Sequence, residues 1–247
     1  MKKLFLAFWL PIFILVVWEV LAARHVLDTL FFPAPTTLVA TFGRVIGNGE
    51  LPKHVHATFT RMATGFLIGS TLGVGLGLLL GAWKKVRQSL EPVISALYST
   101  PKLALFPMLM LFLGVGDASR VTLIALGTLI FTAIHAQDAV RNLNPAYVEM
   151  AVNYGARGRA LFRNVYLPAC LPQIFTGLRL ALGRALVITV SVELLGSNEG
   201  LGSMIWLSWQ TFATERLYVA VMVTGTLGAL LHAALLRVER RLIPWKV

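Results

Sequence analysis

Few residues in this 247-residue chain have the type and spacing that chemistry requires. Its five histidines include no His-Glu-x-x-His pair, the spacing that sets two ligands and a base on one helix face for zinc. Cys170 is the only cysteine, which excludes an intrachain disulfide, a Cys-x-x-Cys pair and an all-cysteine metal cluster. No Gly-x-x-x-x-Gly-Lys-Ser/Thr run is present, so the chain cannot cradle nucleotide phosphates by itself. The remaining charged candidates sit in apolar surroundings. Lys102, between Pro101 and Pro107, is open between attracting an anionic solute beside a broken helix and snorkelling to the interface. Glu193 is open between closing an outer gate, touching an outside partner, and serving as a hydrogen-bonded or solvated helix-end carboxylate. His135 and Asp138 have i, i+3 spacing, but a position near the headgroups explains them without a proton relay. Arg179 and Arg184 flank the inner half of an apolar run, where a long side chain can reach water.

The elements that must position these groups are membrane spans. Hydrophobic residues make up 57% of the chain and charged residues only 13%, against about a quarter charged in soluble domains. The mean hydropathy is +0.74. Runs long enough to cross about 30 Å of hydrocarbon recur near Leu4–Ala23, Ala57–Trp83, Pro92–Gly114, Val121–Val140, Pro172–Gly196 and Leu217–Leu236. Six crossings put both termini on one side. That side carries Lys2, Lys3, Lys84, Lys85, Arg87, Arg141, Arg157, Arg159, Arg163, Arg237, Arg240, Arg241 and Lys246. The other carries Arg24, Arg44, Lys53, Arg61, Arg120 and Arg216, so the basic bias makes the first side cytoplasmic. The net charge of +11 is thereby explained without nucleic acid.

Met-Lys-Lys followed by an apolar run and Val-Leu-Ala-Ala also fits a signal peptide, but the run is nearer twenty residues than the usual apolar region, so it is expected to stay as the first span. Between the first two spans, Phe32–Thr37 with its two prolines precedes an amphipathic stretch, Leu38–Ile46, with Thr36 or Thr37 as the expected cap of a helix on the membrane surface. The second span carries Gly65, Gly69, Gly73, Gly77 and Gly81 at fourfold spacing, a stripe that lets two backbones approach, here read as internal packing ahead of a subunit interface. In the third span, Pro101 and Pro107 predict a kink or break, either lining a pathway or merely packing. With no Ser/Gly linker, residues 1–247 read as one domain.

The longest cytoplasmic loop, 141–171, holds two short amphipathic helices. Asn144-Pro145 predicts an N-cap followed by proline at the first helical position, with Glu149 near enough to favour the dipole. Tyr147, Met150, Ala151 and Tyr154 make one apolar stripe, and Gly155 stands where a left-handed C-terminal residue belongs. A second helix follows with Arg159 and Arg163 a turn apart, and Leu167-Pro168 is expected to stop it before the fifth span. From spacing alone the pair fits equally a docking knob for a soluble protein and a helix pair lying on lipid.

Glu149-Met150-Ala151, Gly155 and Leu167-Pro168 resemble the EAA motif of ABC-importer permeases, with Met150 in place of the middle alanine. Phe32-Pro33-Ala34-Pro35, the run from Thr100 to Pro107, Phe112–Gly116, Thr176–Arg179 and Glu199–Gly202 are similar, in order, to the subfamily for nitrate, alkanesulfonates and taurine. The resemblance implies an all-α membrane protein of type I importer (MetI-like) architecture in the bacterial cytoplasmic membrane. It implies two permease copies, two cytoplasmic ATPases that bind the ATP and Mg, and a periplasmic or surface-anchored solute-binding protein. By the same resemblance, Glu149, Ala151, Gly155, Arg159, Arg163, Leu167 and Pro168 are the ATPase-coupling residues. Pro101, Lys102, Pro107 and Glu193 are candidates for the translocation path or gate. The chain is then no enzyme alone and holds no cofactor; the solute is expected to be a small anion such as a sulfonate or nitrate, with a neutral vitamin precursor also open. The competing class is an ion-coupled secondary transporter or channel, which calls for midplane carboxylates or matching broken helices in repeated halves.

Overall fold

The computed structural model describes residues 2–245, with side chains from Trp9 onward; the side chains of Lys2 and Lys3 and all of Lys246, counted above among the basic residues, lie outside the described residues. The described chain is helical, without a strand. It packs as two compact units, one of Met1–Thr58 with Glu193–Thr226 and one of Phe59–Val192 with Leu227–Val247.

The first unit holds α1 (Lys2–Ala23), α2 (Pro35–Gly47), the start of α3 (Glu50–Ala82), α10 (Leu201–Gln210) and the start of α11 (Thr214–Leu242). Proline at the first position of α2 makes Ala34 its cap residue, two or three positions ahead of the expected threonines. The capping oxygens come instead from Glu19 of α1, which accepts from the Thr36 N–H at 3.0 Å and the Thr36 hydroxyl at 2.8 Å. A carboxylate at a helix N-terminus meets both the orphan donors and the dipole. Leu38, Thr41 and Val45 are buried while Val39 and Ile46 on the other face are exposed, so α2 carries apolar residues on both sides.

The second unit holds the rest of α3, α4 (Lys84–Ser99), α5 (Phe106–Leu113), α6 (Asp117–Arg141), α7 (Pro145–Asn153), α8 (Gly158–Leu161), α9 (Leu167–Leu194) and the end of α11. Its core is the glycine stripe. A Cβ added at Gly65, Gly69, Gly73, Gly77 or Gly81 would come closer than 3.0 Å to Ile124, Ala125, Leu129, Ala133 or Val140 of α6, respectively. Gly75, on another face, would meet nothing within 4 Å. The stripe is internal packing of α3 on α6: in lipid, where apolar faces gain nothing by hiding from water, close backbone approach supplies the dispersion that holds helices together. Above it, Arg61 Nε donates to Asp117 at 2.7 Å and Arg120 Nη1 at 3.2 Å.

Among the described residues, four helical stretches are long and apolar enough to cross a membrane: Glu50–Ala82, Asp117–Arg141, Gly158–Leu194 and Thr214–Leu242. Lys84–Ser99 with Lys102–Leu113 would make a fifth, but the two arms meet at 94°. The apolar part of α1, Trp9–Ala23, is shorter. The run Pro92–Gly114, expected to kink or break, is therefore a sharply bent pair. Pro101 causes the break, because it cannot donate to the preceding turn and holds Thr100 at ψ 131°, extended. Pro107 does not contribute to it, since it sits in the first turn of α5, where a missing N–H costs nothing.

Candidate functional site

In the 141–171 loop, Asn144 accepts from the Ala146 N–H at 3.0 Å and Pro145 occupies the first helical position. At the other end of α7, Gly155 has φ +87°, the Gly155 N–H donates to Val152 O and the Ala156 N–H to Ala151 O, both at 2.9 Å. These two reversed bonds satisfy carbonyls that the helix end leaves open and turn the chain sharply into α8.

The expected stop at Leu167-Pro168 is absent. Gly158–Leu194 runs as one helix of 37 residues. The backbone widens into a π-turn over Phe162–Tyr166, with the Leu167 N–H on Phe162 O. Proline at 168 has no N–H to give and crowds the preceding carbonyls; one wider turn makes room for its ring without ending the helix. The second loop helix and the span are consequently a single rod.

The apolar stripe of α7 is uncovered. Tyr147, Met150 and Tyr154 are 56%, 60% and 90% exposed. With Ala151, Asn164, Val165, Pro168, Pro172 and Trp245 they line a concavity of about 530 Å³. Of the coupling candidates, Ala151 and Pro168 meet in this concavity, Gly155 shapes the turn beside it, Leu167 is half-buried in the rod, and Glu149, Arg159 and Arg163 are exposed. Trp245 carried no signal in spacing, because it stands 91 positions after Tyr154, the nearest in sequence of the other aromatic residues of the concavity.

At the break, Lys102 turns back on the last turn of α4: its ammonium donates to Tyr98 O and lies 5.3 Å from the Tyr98 ring centroid. A cation on a helix C-terminal carbonyl complements the dipole there. Pro101 and Pro107 are exposed.

Glu193 lies in the first unit and is 1% exposed. Its carboxylate accepts from the Thr58 hydroxyl at 2.8 and 3.0 Å and from the Gly202 N–H at 3.0 Å. Thr58 in turn accepts from the Leu201 N–H at 2.7 Å. The group is thus a buried hydrogen-bond acceptor at the N-terminus of α10, where the helix leaves amides open. Gly200, φ +119°, brings the backbone against the carboxylate, where a Cβ would collide with it. The sequence reading missed Thr58 and Gly200 as its partners. Arg179 is also tied down, 3.4 Å from Glu239 of α11, and Arg184 lies 4.0 Å from the Phe131 ring centroid.

A family model described as a binding-protein-dependent transport system inner membrane component matches residues 69–244. The chain is 33% identical over 237 residues, 96% of itself and 86% of the relative, to a putative aliphatic sulfonates transport permease protein of Bacillus subtilis (strain 168). It is 30% identical over 235 residues, 94% of itself and 92% of the relative, to a formylaminopyrimidine transport permease protein of Halalkalibacterium halodurans. Its fold matches a chain of the MetNI methionine ABC transporter solved in inward-facing conformations, with TM-score 0.68 at 18% identity over 76% of this chain and 94% of that one. The uncovered loop, the rod behind it and these likenesses agree: the chain belongs to the family of binding-protein-dependent ABC importer permeases, the inner-membrane components of such systems.

Proposed function

We propose that the chain works as one of two identical spanning subunits in an ATP-driven importer, with six crossings and both termini in the cytoplasm. A cytoplasmic ATPase dimer, which alone binds ATP and Mg, grips the α7–α8 turn, and an extracytoplasmic binding protein hands over the solute. The observation that supports this most is the apolar face of Tyr147, Met150 and Tyr154, left open on a basic loop and backed by the continuous Gly158–Leu194 rod. An exposed apolar face rimmed by polar residues calls for a protein partner. A rigid helix running from that face into the membrane turns closure of two ATPases into rotation of the inner halves. Glu149, Gly155, Arg159 and Arg163 are the coupling residues in this reading, with Pro101, Lys102 and Pro107 on the path. Glu193 acts from within, holding α10 in place at the outer gate. The solute is a small anion such as a sulfonate or nitrate, in line with the relative named for aliphatic sulfonates; the relative named for a formylaminopyrimidine marks the neutral alternative.

Native mass spectrometry of the complex taken gently from its own membranes tests the reading. Two copies of the chain with two ATPase subunits are expected. Isolation without an ATPase, with uptake intact in vesicles lacking ATP, would move the chain to the ion-coupled class.

A further inference from the structure

Arg184 stands ten residues before the end of α9 at Leu194. At about 1.5 Å per residue it lies about 15 Å from that end, half the thickness of a hydrocarbon core of about 30 Å. Its side chain is exposed, and among the described residues no carboxylate pairs with it. A guanidinium facing lipid at that depth is too costly to persist, so this face of α9 borders water or protein, and headgroups do not reach it.

The surroundings form a built cradle. Gly127, Phe131 and His135 follow one another on a single face of α6, one turn apart. The Arg184 guanidinium lies 4.0 Å from the Phe131 ring centroid, and Phe131 meets His135 edge to face at 4.5 Å. At the other end, Lys102 Cγ would lie 3.8 Å from a Cβ placed on Gly127. Lys102 and Arg184 are near enough for their charges to act on each other, and Arg184 acts likewise on His135, which Asp138 faces from the following turn. Two cations within electrostatic reach of each other repel unless an anion comes between them.

We propose that Arg184 and Lys102, over the Gly127–Phe131 face of α6, form a transient binding site for the oxyanion group of the passing solute, so that charge selection resides partly in this chain and not only in the binding protein. A guanidinium presents paired donors to sulfonate oxygens, and Lys102 adds a mobile charge. The inference rests on the permease reading and adds Arg184 as a specificity-determining residue.

The test is uptake of radiolabelled ethanesulfonate and nitrate by vesicles holding the complete complex, supplied with ATP and binding protein. Arg184→Gln should lower uptake of the transported anion on the order of 10- to 100-fold, the range of one charge-assisted hydrogen bond. Arg184→Lys should restore it to within a few-fold of the parent, a rescue that a purely packing role on Phe131 would not give. Lys102→Gln should lower uptake less, and it decides the matter if Arg184→Gln fails to assemble by native mass spectrometry. Parent-level uptake in both Gln variants would overturn the site, as would assembled parent complex that moves neither anion. Absence of any ATPase complex would instead refute the permease reading itself.

Discussion

Replacing Gly69 by alanine places a methyl 2.8 Å from Thr128 Cβ and closer still to the Ala125 carbonyl oxygen, where ordinary contact begins at 3.4 Å. The obstacle is backbone on a neighbouring helix, so no rotamer change relieves it. At Gly65, by contrast, the nearest atoms belong to the Ile124 side chain. In the Gly69 variant α3 and α6 must part by roughly 0.5–1 Å, which forfeits about a quarter to a half of each dispersion well at the adjoining layers. Overpacking of this kind costs about 1–3 kcal/mol. Alanine also gains up to about 1 kcal/mol of helix propensity over glycine, so the informative quantity is a difference. Gly75→Ala enjoys the same gain with nothing within 4 Å to resist it. The Gly75 variant should therefore be more stable than the Gly69 variant by about 1–3 kcal/mol. Reversible unfolding in mixed micelles, titrated with denaturing detergent and followed by circular dichroism, measures it. Equal stabilities, or a more stable Gly69 variant, would refute the close-packed stripe.

Other outcomes follow from the loop and the outer cluster. Tyr154→Ala should change the stability of the isolated chain by less than about 0.5 kcal/mol, because the ring is unburied, yet weaken ATPase association by about 2 kcal/mol, as read in a pull-down titration. Gly155→Pro forbids φ +87° and removes the donor to Val152 O, so it should abolish ATPase docking or uncouple hydrolysis from transport, with the spans still inserted; Arg163→Glu should weaken docking less. Normal transport by the proline variant would sink the coupling assignment. Glu193→Ala leaves the Thr58 hydroxyl and Gly202 amide without their acceptor and should cost about 1–3 kcal/mol for each group left unsatisfied, seen as a lower melting temperature, with Glu193→Gln milder.

What was readable from the chain alone was whatever lipid or local sterics dictate. The apolar runs had to be helices, the fivefold glycine stripe had to face a neighbour, and Asn144, Pro145 and Gly155 had to bound a short helix. What escaped was set by distant partners. Glu19 displaces the local threonines at α2 from 17 positions away, and Thr58 meets Glu193 across 135. Leu167-Pro168 looked like a stop because the rule for proline assumes four-residue turns, whereas a π-turn absorbs the ring. Arg184 read as a cation reaching inward for water, and only the face that α9 turns to Phe131 distinguishes it from its neighbours.

The central claim is that the open stripe on α7 grips an ATPase and does not lie on lipid. Tyr154→p-benzoylphenylalanine in the intact chain, irradiated in living cells, tests this at the most exposed ring of the stripe. The account predicts one dominant cross-linked species, a cytoplasmic ATPase, whose yield falls when Gly155→Pro is added. Cross-linking to lipid alone, unaffected by Gly155→Pro, would contradict it.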